Sequence, residues 1–265
     1  MESCAAALVL ERPSRLRNLP IVAAILAACG TCHAAPEEIQ VYLDDMSAPG
    51  QFGVDVHNNY VLSGSNRPEY PGQIPPLHVY RLTPEFYYGL SQSVELGLYV
   101  LTSREPDGEI HVDGSKARVK FIAPHDEKSG MFWGANLEIG RTRLTVSETP
   151  WNGELKGIFG YRAGPWTLAV DPNLDWAFSN ASESAALSLD VKVNHSLVEK
   201  TDVGVELYNE LGTLRHFNVS NHGASTVYAV IDQDLGAFDL NIGVGRGFGG
   251  EADRWTAKFI LGTHF

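Results

Sequence analysis

Three cations recur at alternate positions in SKARVKFIA, residues 115–123: Lys116, Arg118 and Lys120. Alternate side chains of an extended segment share a face, so the three form one basic stripe. Such a stripe can steer anions along a polar passage. It can also be neutralised by carboxylates and stiffen an interior as an ion-pair network. Glu95 and Glu138, on the flanking segments, share the stripe's face, and the network is the weightier reading. A second stretch, RHFNVSNHG (215–223), brings His216, Ser220 and His222 to a common face if extended. A Ser–His hydrolase needs the base within hydrogen-bond reach of the nucleophile and a third group orienting the base. His216 and Ser220 are separated by roughly 13 Å along a strand. The stretch therefore reads as a polar loop, and no catalytic residue is assigned. The nine His are scattered without ligand spacing, so neither a metal site nor a cofactor is expected.

These residues sit on a string of strands. Period-two alternation predicts twelve, over about 51–62, 77–88, 93–103, 114–123, 129–141, 152–162, 165–177, 184–195, 201–211, 224–234, 237–248 and 254–265. Their connections alternate in length. SQS, AGP and DLG are tight turns, whereas 62–76, 103–114 and 212–224 are long. Short turns at one end and long loops at the other is the pattern of an outer-membrane barrel, and an even strand number puts both barrel ends on the short-turn side. The fold class expected is thus all-β, an antiparallel up-and-down transmembrane barrel over residues 51–265.

A soluble barrel or sandwich shows the same alternation turned inside out. The aromatic spacing argues against it. Trp166 and Trp176, Phe238 and Phe248, and Trp255 and Phe265 are each ten residues apart on an apolar face. Ten tilted strand residues rise roughly 23–25 Å, the height between the two aromatic girdles of a lipid-facing band. Twelve strands also enclose an interior too wide for one small apolar core. The terminal Phe265 resembles the C-terminal signal read by the outer-membrane insertion machinery. Pro172 argues the other way, because it cannot donate to a ladder from mid-strand; it predicts a bulge or a mis-drawn seventh strand.

With the apolar face on lipid, the other face lines a lumen. Pore-lining candidates are Arg81, Glu85, Glu95, Lys116, Arg118, Lys120, Glu138, Asp171 and Asp239, accompanied by Thr83, Tyr99, Asn136, Asn173, Asp175 and Asn241. The segment 35–50 is expected either to fold into this lumen or to reach the first strand from the periplasm.

The N-terminus, residues 1–34, reads as a cleaved export signal. Arg12, Arg15 and Arg17 precede the apolar run 19–28, and Cys32-His33-Ala34 offers cleavage positions. Leu26-Ala27-Ala28-Cys29 also resembles a lipoprotein box, but a body with its own lipid-facing surface needs no acyl anchor. All three cysteines, Cys4, Cys29 and Cys32, lie in this leader, so the exported body would hold no disulfide. The formal net charge of −12 argues against nucleic acid as a partner. The partners expected are outer-membrane lipid, the insertion machinery and small solutes.

Several stretches together carry a resemblance: TPEFYYGLSQSVELGLYV (83–100), WGANLEIG (133–140), GVELYNELG (204–212) and DLNIGVGRGFGGEADRWTAKFILG (239–262). They resemble a family of proteobacterial outer-membrane barrels labelled "putative MetA-pathway of phenol degradation". The resemblance implies the barrel and its location in the outer membrane, and the label suggests passage of aromatic or hydrophobic compounds. It supplies no catalytic residues. Gly245 and Gly247 around Arg246 precede a strand and not a helix, so they are no phosphate loop. Three function classes follow: a channel for passive uptake of small solutes, a plugged barrel with a structural or surface role, and, least favoured, a lipid hydrolase at the rim.

Overall fold

The computed structural model describes residues 38–68, 70–178, 185–217, 224–249 and 252–265; the predicted leader lies outside them. The described residues form twelve long strands and a two-residue one. They are β1 (Phe52–Ser63), β2 (Tyr80–Gly89), β3 (Val94–Arg104), β4 (Ile110–Ile122), β5 (Gly130–Thr142), β6 (Trp151–Ala163) and β7 (Trp166–Ala177). The rest are β8 (Ala186–Val198), β9 (Thr201–Thr213), β10 (His216–Phe217), β11 (Ser225–Asp234), β12 (Asp239–Phe248) and β13 (Trp255–His264). Each predicted strand is present, with its ends displaced by four residues or fewer. β10 is a short hairpin return on the end of β9.

Every long strand pairs antiparallel with its neighbours, and β1 pairs with β13 from Gly53↔His264 to Val61↔Thr256. Phe52 and Phe265 exchange backbone hydrogen bonds of 3.2 and 2.8 Å at this seam. Closure leaves no long edge strand to template aggregation. The connections 90–93, 164–165, 199–200 and 235–238 gather at one end, with the β4–β5 turn 123–129. The opposite end carries longer loops, of which 64–79 and 143–150 are tied by Ile74 N–H donating to the Thr145 carbonyl at 2.9 Å.

The radial pattern is inverted relative to a soluble barrel. Leu98, Val119, Leu137, Leu155, Phe159, Val205, Ile242 and Phe259 are exposed on the outside, whereas Thr83, Asn136, Asp171 and Glu206 are buried inside. A soluble protein rarely exposes a contiguous apolar surface of this extent. An outer-membrane barrel requires one.

Two sequence expectations are corrected. The loop expected over 103–114 is mostly strand. β4 starts at Ile110, and the register shift between Leu101↔Gly114 and Thr102↔Val112 leaves Asp113 bulged. The bulge lets Ile110 and Val112 keep facing outward, 72% and 65% exposed, while the ladder continues beyond it. Pro172 makes neither a bulge nor a misplaced strand. It keeps register with Leu189 on β8, and the β6–β7 register is the same on both sides of it, Lys156↔Asn173 and Phe159↔Val170. Only the ladder between those pairs lapses, since proline lacks the donor. Gly157 stands opposite, where a Cβ would come within 3.2 Å of the Pro172 ring. Pro84 does the same on β2: it pairs with Val56 of β1, and the β2–β3 ladder lapses beside it. There Thr102 Oγ1 donates to the Leu82 carbonyl at 2.5 Å.

Candidate channel lumen

The inward faces of β2, β3 and β4 meet around Arg118. Its guanidinium donates to Glu85 through Nε and to Glu95 through Nη2, the latter at 2.8 Å. Lys120 Nζ lies 3.2 Å from the same Glu95, and Lys116 Nζ lies 3.9 Å from Glu138. The whole basic stripe is therefore opposed by carboxylates. Arg118 reaches Glu85, two strands away, because the intervening residue on β3 is Gly97. A Cβ there would lie 2.5 Å from the arginine stem. His57 of β1 completes this side, with Nε2 3.3 Å from Glu85.

Residues 38–48 run through the barrel between these strands and the opposite wall. Two apolar clusters anchor them: Val41 and Tyr42 pack with Ile122, Phe132, Ile158 and Ala169, and Ile39 packs with Tyr228 and Val230. Polar anchors lie between. Tyr42 N–H donates to Asp171 at 2.7 Å, and its hydroxyl pairs with Tyr99 at 2.8 Å. Ser47 donates to Glu95 from both backbone and side chain, at 2.8 and 2.6 Å. Lys258 Nζ donates to the Ile39 carbonyl at 2.9 Å. Asp44 is held by the Arg162 guanidinium and by His125 Nε2, at 2.5 Å from the latter. Three cations lie near the Tyr42 ring, with Lys156 at 4.7 Å, Lys120 at 5.6 Å and Arg118 at 5.9 Å from its centroid.

His125 belongs to the turn after β4. Burial pushes its pKa down, but the Ala123 carbonyl bonded to Nδ1 and the Asp44 carboxylate beside Nε2 outweigh this, and it stands above the usual 6.5.

Below the segment, toward the short-turn end, is a cavity of about 1260 Å³. Arg118, Lys120, Lys192, Glu206, Asp232 and Asp55 are among the residues that line it. A second network occupies that side: Lys192 bridges Glu206 and Asp232 at 3.1 and 3.0 Å, and Lys258 meets Glu206 at 2.5 Å.

The structure thus brings Glu85, Glu95, Lys116, Arg118, Lys120 and Glu138 into one network, with Asp171 joined through the Tyr42 backbone. Arg81 is inward and buried farther toward the long loops. Asp239 lies apart, exposed at the rim of the cavity. Of the six aromatic positions, Trp166, Phe238, Phe248, Trp255 and Phe265 are exposed on the outside, and Trp176 is half-buried against Gly153 and Phe178. Arg246 is exposed, with its guanidinium 5.6 Å from both the Phe248 and Trp255 rings. In the hydrolase-like stretch, Ser220 and His222 lie outside the described residues.

Sequence reasoning did not single out Glu154, Lys156, Asp190, Lys192, Glu206, Lys258 or His57. All lie on inward faces, and strand parity would have named them once every strand was written out in full.

Comparison with known proteins returns a fold class. No family model matches the chain, and no curated protein matches it. Among solved structures, the COG4313 outer membrane channel from Pseudomonas putida F1 aligns with a TM-score of 0.57 at 11% identity, covering 86% of this chain and 100% of that one. The NanC porin aligns at 0.52 and 12% identity, and the KdgM porin in complex with disordered oligogalacturonate at 0.51 and 10%. Each of these covers 80% of this chain and 98% of its own. The chain therefore has the fold of an outer-membrane β-barrel. The phenol-degradation label receives no support beyond that fold.

Proposed function

We propose that this protein is an outer-membrane channel for small solutes, with its short-turn end facing the periplasm and the segment 38–48 narrowing its lumen. The observation that carries the reading is the polar interior of a closed twelve-strand wall, with a cavity of about 1260 Å³ leading in from one end. A barrel built only for rigidity has no need of that space. Structural likeness to channels and porins agrees with the reading. Passage of aromatic compounds is a finer version of it. Its support is the set of four phenol rings along the interior, Tyr42 and Tyr99 in one pair and Tyr208 and Tyr228 in another, 5.5 Å apart. Export by the predicted leader, and insertion through the strand ending in Phe265, belong to the same proposal.

A plugged barrel is the second reading, favoured by the density of contacts on Tyr42. Single-channel conductance of the folded protein in a planar bilayer separates the two. Discrete current steps support the channel. Silence from folded protein, persisting in Tyr42→Ala, supports the plugged barrel.

A further inference from the structure

Beside the neutralised stripe, the wall formed by β5–β8 carries carboxylates opposite one another. Glu138 of β5 is the cross-strand partner of Glu154 on β6, and Glu154 is the partner of Asp175 on β7. Closer to the short-turn end, Asp171 of β7 is the partner of Asp190 on β8. Like charges directly opposite each other oppose folding, and here five carboxylates share one patch.

The positive groups on this wall do not balance them. Lys116 lies 3.9 Å from Glu138, and Lys156 lies 3.4 Å from Glu154. Lys192 of β8 is taken up by Glu206 and Asp232, at 3.1 and 3.0 Å, and Arg162 of β6 by Asp44, so two ammonium groups, one of them from β4, face the five carboxylates. Asn173 donates to Asp190 and the Tyr42 backbone to Asp171, at 2.8 and 2.7 Å. These bonds leave the charge unchanged.

A second, independent feature coincides with the patch. The side-chain oxygens Asp171 Oδ1, Asn136 Oδ1 and Asn173 Oδ1 have no hydrogen-bond donor. Their residues are 0%, 0% and 4% exposed. Buried acceptors are almost always satisfied. Three orphaned on β5 and β7, the two strands that flank β6 in this wall, all of them acceptors, ask for a positive or donating ligand. Glu154 remains 22% exposed, so the patch is open to the lumen.

We infer that the β5–β8 wall is a cation-binding site that gives the channel a preference for cations. The ligand is a hydrated metal cation. A bare ion needs ligand atoms in close contact. Among the described residues, the triads of carboxylate and imidazole ligands that approach within 4.8 Å are Glu38–His57–Glu85 and Glu105–Glu109–His111, and neither belongs to this wall. A cation that keeps part of its water can instead bridge the cross-strand row Glu138–Glu154–Asp175. The preference in transport rests on the channel reading; the binding does not.

Two measurements on the full chain test this. The first is the reversal potential across a KCl gradient in a planar bilayer. It should show potassium preferred over chloride, and the double variant Glu154→Gln/Asp175→Asn should reduce the permeability ratio by roughly threefold or more. An anion-selective wild type, or a ratio unmoved by the double variant, overturns the inference while leaving the channel intact. The second is terbium luminescence excited through tyrosine, since Tyr99 donates to Glu138 at 3.4 Å and is placed to sensitise an ion there. A saturable signal, displaced by calcium and lost in the double variant, supports the site even if the pore is silent. A signal absent from folded wild type, or equal in the double variant, overturns it. Glu148→Gln, on the exposed loop 143–150, should change neither readout. Both substitutions relieve like-charge repulsion, but Glu154→Gln also removes the partner of Lys156. Asp175→Asn alone, which breaks no ion pair among the described residues, should therefore show the same losses in part, and a variant that leaves both readouts unmoved counts against the site.

Discussion

The two charged walls of this lumen are built from similar residues and differ in what stands across the strand. On β4 two of the three cations face a carboxylate across the strand: Lys120 is the register partner of Glu95, and Arg118 of Glu138, although Arg118 turns its guanidinium to Glu85 and Glu95; Lys116, opposite Tyr99 and Gly140, reaches Glu138 diagonally at 3.9 Å. On β5–β8, carboxylates face carboxylates. The sign of a stripe in one strand therefore says little about the field in the lumen. The partner strand decides whether a charge is spent within the wall or presented to the passage.

The contrast can be broken from either side. The largest effect expected is from Glu95→Ala. It strips Ser47 of its anchor, leaves Arg118 with Glu85 alone and leaves buried Lys120 without its carboxylate, and breaking a buried pair typically costs about 3–5 kcal/mol. Unfolding of the detergent-solubilised barrel in urea, followed by tryptophan fluorescence, should show a clear fall in midpoint. An unchanged midpoint would mean that the network is incidental to stability. Next is the triple variant Lys116→Ala/Arg118→Ala/Lys120→Ala. It unmasks Glu85, Glu95 and Glu138, so selectivity should move toward cations. A reader of the stripe alone would expect merely the loss of an anion preference, and the reversal potential distinguishes the two by its starting point and final sign.

Gly97→Val sharpens the comparison at intermediate size. The added side chain occupies the path of the Arg118 stem and should separate the guanidinium from Glu85. The expected result is reduced stability, with a smaller shift in selectivity than the triple variant gives. Equal shifts would mean that Arg118 charge, and not its route to Glu85, is what matters.

The smallest effect is a pH dependence at the turn after β4. His125 has a folded pKa above its ordinary 6.5. The stabilisation from its contact with Asp44 is thus fully present below about 6.5 and is lost as pH rises through the folded value. The segment 38–48 should be held more firmly at pH 6 than at pH 8. Limited proteolysis of that segment would be slower at the lower pH, and His125→Gln should abolish the difference. A pH dependence that survives this substitution assigns the effect elsewhere.

The strands were legible because one face had to be apolar along its full length, and a period of two is hard to counterfeit over ten residues. Inward parity placed Glu85, Arg118 and Asp171 for the same reason. The pairings were not legible. Arg118 crosses a glycine to reach β2, and Lys258 of β13 meets Glu206 of β9, on a strand that is not its neighbour. Neither contact leaves a periodic trace. Residues 38–48 were the least legible part, since EIQVYLDDMSA shows no clear period and gains its apolar contacts only inside a finished barrel. The bulge at Asp113 was hidden because a one-residue slip ends the alternation that sequence reading depends on.

The seam between β1 and β13 also sets an order of events. β13, which closes the cylinder, is made after the other barrel strands, and its partner β1 is the first of them, so closure waits for all twelve long strands. The segment 38–48 enters β1 through the turn at Gly50, whose N–H donates to the Gly89 carbonyl at 2.8 Å. It is tethered at the short-turn mouth before there is an enclosed space to occupy. Its apolar residues find their contacts on β4–β7 and β11 and not on the first strands, so the segment locks in only after most of the wall has formed. Variants such as Tyr42→Ala would then show their cost late, in how firmly the closed barrel holds the segment.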